Sequence, residues 1–189
     1  MIEGIFFYPT LGYNLLRNLL QQENWSWYSQ VDEGLILGAM PFKSMKEELI
    51  EKGVGGVVCC TESYELVAAW SGMTEEDWKA VGVEFYHIPM TDFVGAADPA
   101  EMQKAVAFIN KINKEGKSVY VHCKAGRTRS ATVTTCHLMQ KMDLGPNEAF
   151  EFLKKQRRQV SLGSWQWQTV EEYRRYLDAN RHLITTAES

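Results

Sequence analysis

The sequence predicts an α/β fold with a mostly parallel central sheet flanked by helices. Three observations lead there. Short runs rich in β-branched residues alternate with longer segments of helical period. Hydrophobic residues make up 45% and charged residues 23% of 189 positions, the balance of an ordinary globular domain rather than a disordered chain. No repeat, low-complexity tract or linker is visible after residue 30, so the length suits one domain with a short appendage.

Residues 1–30 stand apart as an amphipathic targeting or membrane-anchoring segment. Leu11, Leu15 and Leu19 recur at helical spacing, with Leu16 and Leu20 beside them, and Asn14, Arg17 and Asn18 lie opposite. Pro9, Asn14, Arg17 and Asn18 interrupt the run of about 20 apolar residues that a spanning helix needs. A secretory signal is not visible. An interfacial helix, a targeting helix and a helix packed on the domain's own core all fit the pattern. Trp25, Trp27 and Tyr28 suit either a membrane interface or a core, and the core is favoured.

The domain proper is expected over residues 31–189. Strands are expected at Gly34–Gly38, Val54–Cys60, Val83–Ile88 and Ser118–His122. Between them, Met45–Glu51 reads as a helix, as does Thr74–Ala80, where Thr74 is the N-cap and Asp77 stands three residues on. Met102, Ala105, Val106, Ile109 and Ile112 mark a long amphipathic helix after Pro99. Three more helices are expected at Thr128–Met142, Pro146–Arg158 and Trp165–Leu183. In such sheets the functional crevice lies beyond the carboxyl ends of the strands, which directs attention to the loop after His122.

Charge and cysteine usage narrow the function. A formal net charge of -4 argues against a broad basic face, so no nucleic-acid partner is expected. The four cysteines, Cys59, Cys60, Cys123 and Cys136, include no Cys-x-x-Cys pair, and the four histidines are dispersed. Neither a disulfide framework nor a structural zinc site follows, and a reducing compartment fits. No metal or other cofactor is expected.

The decisive stretch is His122-Cys123-Lys124-Ala125-Gly126-Arg127-Thr128-Arg129-Ser130. It leaves a strand and enters a helix, so successive backbone N–H groups and the helix N-terminus can surround a tetrahedral dianion. Gly126 permits a positive φ. Arg129 can fork onto two phosphate oxygens. The same field lowers the pKa of Cys123, making a thiolate nucleophile at neutral pH. Ser130 is placed to bond that sulfur and help it leave in a second step, and His122 orients the loop. Cys59, Cys60 and Cys136 read as small buried hydrophobes.

His-Cys-x5-Arg-Ser resembles the signature of the cysteine-dependent protein tyrosine and dual-specificity phosphatase superfamily. Further pieces point to its mitochondrial lipid-phosphatase subfamily: Phe7-Tyr8-Pro9-Thr10-Leu11, Leu35 through Pro41, Glu62-Ser63-Tyr64-Glu65 and Thr91-Asp92-Phe93-Val94-Gly95. The resemblance implies a dual-specificity phosphatase-like fold. It also implies hydrolysis of phosphatidylglycerophosphate to phosphatidylglycerol, a step of cardiolipin synthesis, through a cysteinyl phosphate and without a metal. The implied location is the mitochondrial inner membrane, peripheral on the matrix face. The alternative is a dual-specificity protein phosphatase. The oligomeric state is left open.

A phosphomonoester needs a general acid for its leaving alkoxide. Asp92, straight after the third expected strand, receives that role from the resemblance. Asp98 is the rival, better suited to cap the next helix. Glu62 and Tyr64 are expected to shape the substrate pocket, although Ser63 departs from the family's Glu-Glu-Tyr-Glu. Lys124 and Arg127 are expected to meet a second phosphate. Lys124, Ala125, Gly126, Arg127, Thr128, Arg129 and Ser130 together form the expected phosphate cradle. Gln166 is a candidate to position water.

Overall fold

The computed structural model describes Pro9, Gly12, Tyr13 and residues 26–68, 71–91 and 97–188. The expectations for most of residues 1–25, and for Asp92, Phe93, Val94 and Gly95, lie outside the described residues. Five strands, β1 (Tyr28–Asp32), β2 (Leu35–Gly38), β3 (Val54–Cys59), β4 (Glu84–His87) and β5 (Ser118–His122), form one sheet in the order β1-β2-β5-β3-β4. Four run parallel and β1 pairs antiparallel with β2. The helices are α1 (Lys46–Glu51), α2 (Ser63–Ala68), α3 (Glu75–Lys79), α4 (Pro99–Lys114), α5 (Arg129–Met142), α6 (Pro146–Gln156) and α7 (Ser164–Glu188), with a 3-10 turn at Lys43–Met45.

Both faces of the sheet are covered, which is why the central strands carry apolar residues at consecutive positions. Val58, Val119 and Val121 face a cluster filled by Met102, Ala105, Val106, Ile109 and Ile112 of α4 and by α5 and α7. Ile36, Val57 and Tyr120 face a smaller cluster with Leu49, Met73 and Trp78. The five α4 residues are fully buried, each burial being worth about 1.5–3 kcal/mol for the larger side chains.

Two elements depart from the expectation. The chain at Tyr28–Asp32 is an edge strand, so the boundary drawn at residue 30 falls inside the sheet. Only Val31 in it is buried, and one apolar position gives no period to read. Trp27 stacks on Phe42 at 5.3 Å and its Nε1 donates to the Met40 carbonyl at 2.9 Å, the core role favoured for it. Ser63-Tyr64-Glu65 opens α2, a helix that the sequence pattern does not mark. Elsewhere α3 carries the full capping box between Thr74 and Asp77, and Asp98 caps α4 by accepting from Ala100 N–H at 2.7 Å. No helix among the described residues is long and apolar enough to cross a membrane.

Candidate active site

The parallel strands end together, and the loop after β5 is built against that edge. His122 pairs with Gly38 on one side and Cys59 on the other. The Cys60 N–H donates to His122 O at 2.8 Å, and the Met40 N–H to Lys124 O at 3.3 Å. Gly126 adopts φ 64°, and a Cβ there would lie 2.4–2.7 Å from the backbone of Gly38 and Ala39. The loop therefore turns inward only because that position carries no side chain. Gly38 is equally constrained: a Cβ would overlap the Tyr120 hydroxyl, which donates to Ala39 O at 2.7 Å.

Cys123 begins the loop, 3% exposed. Burial pushes its thiol pKa up, but the Arg129 charge, the Ser130 hydroxyl and the backbone N–H groups of Ser130 and Arg127 outweigh that and hold it below the ordinary 9.0. The Ser130 hydroxyl donates to Sγ at 3.2 Å. The other cysteines are different: burial raises Cys59 to about 11 and lifts Cys60 and Cys136 well above the ordinary range. His122 is buried and pushed down to about 3 by desolvation, so it is neutral, with Nδ1 3.4 Å from the Cys123 carbonyl oxygen.

Arg129 is 1% exposed at the start of α5. Its Nη1 and Nη2 fork onto the two Glu65 carboxylate oxygens at 2.5 and 3.0 Å, and Nη1 also donates to Met90 O at 3.1 Å. Glu65 is likewise 1% exposed, and the Lys124 ammonium lies 3.7 Å from it. A buried carboxylate thus offsets two cations of the loop. The sequence reading quoted Glu65 within its motif but gave it no role.

Glu62 and Tyr64, the residues expected to shape the pocket, stand at the start of α2. Tyr64 is 38% exposed on the first turn of α2. Glu62 is half-buried, accepting from the Thr91 hydroxyl at 3.5 Å, while its N–H donates to Glu65 at 3.0 Å. Thr91 leads directly to Asp92, which lies outside the described residues. Ala125 and Thr128 are half-buried in the loop, and Thr128 O accepts from Thr132 at 2.9 Å. Arg127 Nε donates to Gln159 O at 3.1 Å. Gln166 is buried and its Oε1 accepts from Gly163 N–H at 3.1 Å, so that oxygen caps α7.

A further residue escaped sequence reasoning. Arg157, 1% exposed, donates from Nε to Gly126 O at 2.8 Å, and from its terminal nitrogens to Ser26 O, Ser29 Oγ and Trp27 O at 3.1–3.3 Å. It ties the floor of the loop to the start of β1. No sequence signal marks it, because its partners lie far along the chain and are mostly backbone carbonyls.

This arrangement can hold a tetrahedral oxyanion against an anionic sulfur. The comparisons agree with that chemistry. A family model described as dual specificity phosphatase, catalytic domain, matches residues 36–176. Phosphatidylglycerophosphatase and protein-tyrosine phosphatase 1 of Mus musculus is 35% identical over 180 residues, covering 94% of this chain and 92% of that protein. Phosphatidylglycerophosphate phosphatase PTPMT2 of Arabidopsis thaliana is 40% identical over 171 residues, 90% of this chain and 72% of that one. The crystal structure of PTPMT1 in complex with PI(5)P matches with a TM-score of 0.78 at 34% identity, over 82% of this chain and 99% of that chain. The active form of Tk-PTP matches with a TM-score of 0.71 at 26% identity, over 80% and 98%.

Proposed function

The chain belongs to the dual-specificity phosphatase catalytic-domain family, and from that membership we propose that it hydrolyses phosphatidylglycerophosphate to phosphatidylglycerol. The observation that carries the chemistry is the Cys123 thiol, held below its ordinary pKa by Arg129 and Ser130 despite full burial. What supports the lipid substrate is the pair of relatives that carry that activity in their names at 35–40% identity.

Cys123 Sγ attacks phosphorus in line with the ester oxygen, and that P–O bond breaks as the S–P bond forms. Asp92 gives the leaving lipid alcohol its proton. Amides of the 124–130 loop and the Arg129 guanidinium receive the charge of the transferring phosphoryl group. Glu65 fixes the plane in which that guanidinium meets the oxyanion. Water then attacks the cysteinyl phosphate, Asp92 takes its proton, and the sulfur leaves as a thiolate steadied by the Ser130 hydroxyl. None of these steps calls on a metal, so EDTA is expected to leave turnover intact.

The domain layout and location are part of the same reading: the residues ahead of β1 as the targeting or anchoring segment, the chain from β1 onward as the catalytic unit, peripheral on the matrix face of the mitochondrial inner membrane. A second activity, on phosphotyrosine, is favoured by the Mus musculus relative, whose name joins the two. Phosphate release compared across phosphatidylglycerophosphate, phosphoinositides and a phosphotyrosine peptide tests the assignment. The expected result is fastest release from phosphatidylglycerophosphate. Fastest release from the peptide overturns the lipid reading in favour of the protein one.

A further inference from the structure

Beside the catalytic loop lies a second cleft of about 390 Å³, lined by Ser26, Ser29, Lys155, Arg157, Arg158 and Gln159 among others. It opens at the same end of the sheet as Cys123, because β1 runs antiparallel to β2 and Tyr28 pairs with Gly38, itself opposite His122. Among the described residues, three cations and no carboxylate line it. That is unexpected in a chain of net charge -4.

The floor is Arg157. Every hydrogen bond it makes goes to a neutral oxygen, and burial lowers its pKa only to about 10, so it is charged at neutral pH. A buried guanidinium with no carboxylate beside it favours an anion above it. Lys155 and Arg158, both exposed, stand in no ion pair among the described residues. The Ser26 and Ser29 hydroxyls, 3.0 Å apart, add polar contacts. In the loop itself, the Lys124 ammonium lies 3.7 Å from Glu65, and Arg127 Nε donates to Gln159 O at 3.1 Å. The cleft offers its charge one hydrogen bond away from the loop, through Arg157 to Gly126 and Gln159 to Arg127.

Two aromatic side chains decide the source of the anion. Trp165 is 54% and Tyr64 38% exposed, on the first turns of α7 and α2. The α2 helix follows the carboxyl end of β3, and the segment leading to α7 is tied to the loop by Ser161 N–H on Arg127 O at 3.0 Å. Exposed indole and phenol rings at the same end of the sheet as those cations suit the headgroup layer of a bilayer. We propose that this cleft is a second phosphate-binding site, which takes the phosphodiester of an anionic bilayer phospholipid and seats the catalytic face on the membrane. The purpose of this docking rests on the lipid-phosphatase reading.

The test is co-sedimentation of the full chain with vesicles of phosphatidylcholine alone or mixed with phosphatidylglycerol. Wild type is expected to partition onto the anionic vesicles. Lys155→Ala with Arg158→Ala should lose on the order of 30-fold, two surface charges' worth of attraction. Lys111→Ala with Lys117→Ala, at the opposite end of the sheet, should keep wild-type partition. Equal partition of wild type on both vesicles overturns the proposal, as does undiminished binding of the Lys155/Arg158 variant. Binding of millimolar inorganic phosphate by wild type, lost in the Lys155/Arg158 variant, without partition onto either vesicle would make the cleft a free-anion site and also overturn it. Partition is read without turnover, so it fails separately from the substrate reading, which phosphate release from phosphatidylglycerophosphate tests.

Discussion

Glu65 and Arg129 meet as a two-pronged ion pair, each 1% exposed, one residue from a family motif and the other from the catalytic loop. Removing one partner of such a pair strands a buried charge, at a cost of about 3–5 kcal/mol. Glu65→Ala should therefore lower stability by about that amount in denaturant unfolding. Glu65→Gln, which retains an oxygen for one prong, should cost less in stability but still slow turnover, because the guanidinium is no longer held in plane. Full turnover in Glu65→Gln would contradict the positioning role given to the carboxylate. At this scale the nucleophile, the arginine and the Ser130 hydroxyl were legible in the sequence because their chemistry is set by a contiguous loop. The partners of Glu65 and Arg157 were not: Glu65 matches a family motif but meets Arg129 only through the fold, and Arg157 acts on carbonyls of residues 26, 27 and 126.

The loop as an element depends on Gly126 lying against Gly38. A side chain there meets two penalties: the left-handed φ, about 1–2 kcal/mol, and overlap with backbone atoms that cannot move aside. Gly126→Ala is expected to lower vanadate affinity by more than tenfold and to reduce thermal stability. Unchanged vanadate inhibition would show that the loop does not need this turn. Helix α4 and strand β5 were readable from periodicity alone, since α4 shows five buried positions at helical spacing and β5 is an unbroken buried run. Strand β1 and helix α2 were not. The first takes its register from β2 rather than from its own pattern, and the second is six residues long and polar at its start.

Across the whole molecule, two buried imidazoles make stability depend on pH. Desolvation pushes His122 down to about 3 and His137 to about 4, against an ordinary 6.5; Asp32 partly opposes the shift at His137, while Lys141 and, at His122, Arg129 and His87 reinforce it. Between those values and 6.5 the unfolded chain binds protons that the native one refuses. The contribution is therefore whole above pH 6.5 and is lost as pH falls toward 4, at about 1.4 kcal/mol per pH unit for each group. Urea unfolding at a series of pH values should show that slope, and His137→Leu should remove about half of it. An unaltered slope in the variant would contradict the assignment. The parallel sheet itself was legible from the alternation of strands and helices, and so was the edge at which the site is found.

The central claim is that the loop after β5 holds Cys123 as an anion ready to take a phosphoryl group. The pH dependence of iodoacetamide alkylation reads it most directly, since Cys59, Cys60 and Cys136 are buried and kept protonated. Alkylation of Cys123 should be half-maximal below pH 9.0, and Ser130→Ala should move that midpoint up, because a hydrogen bond to the charged sulfur is lost. A wild-type midpoint at or above 9.0, unmoved by Ser130→Ala, would contradict the account.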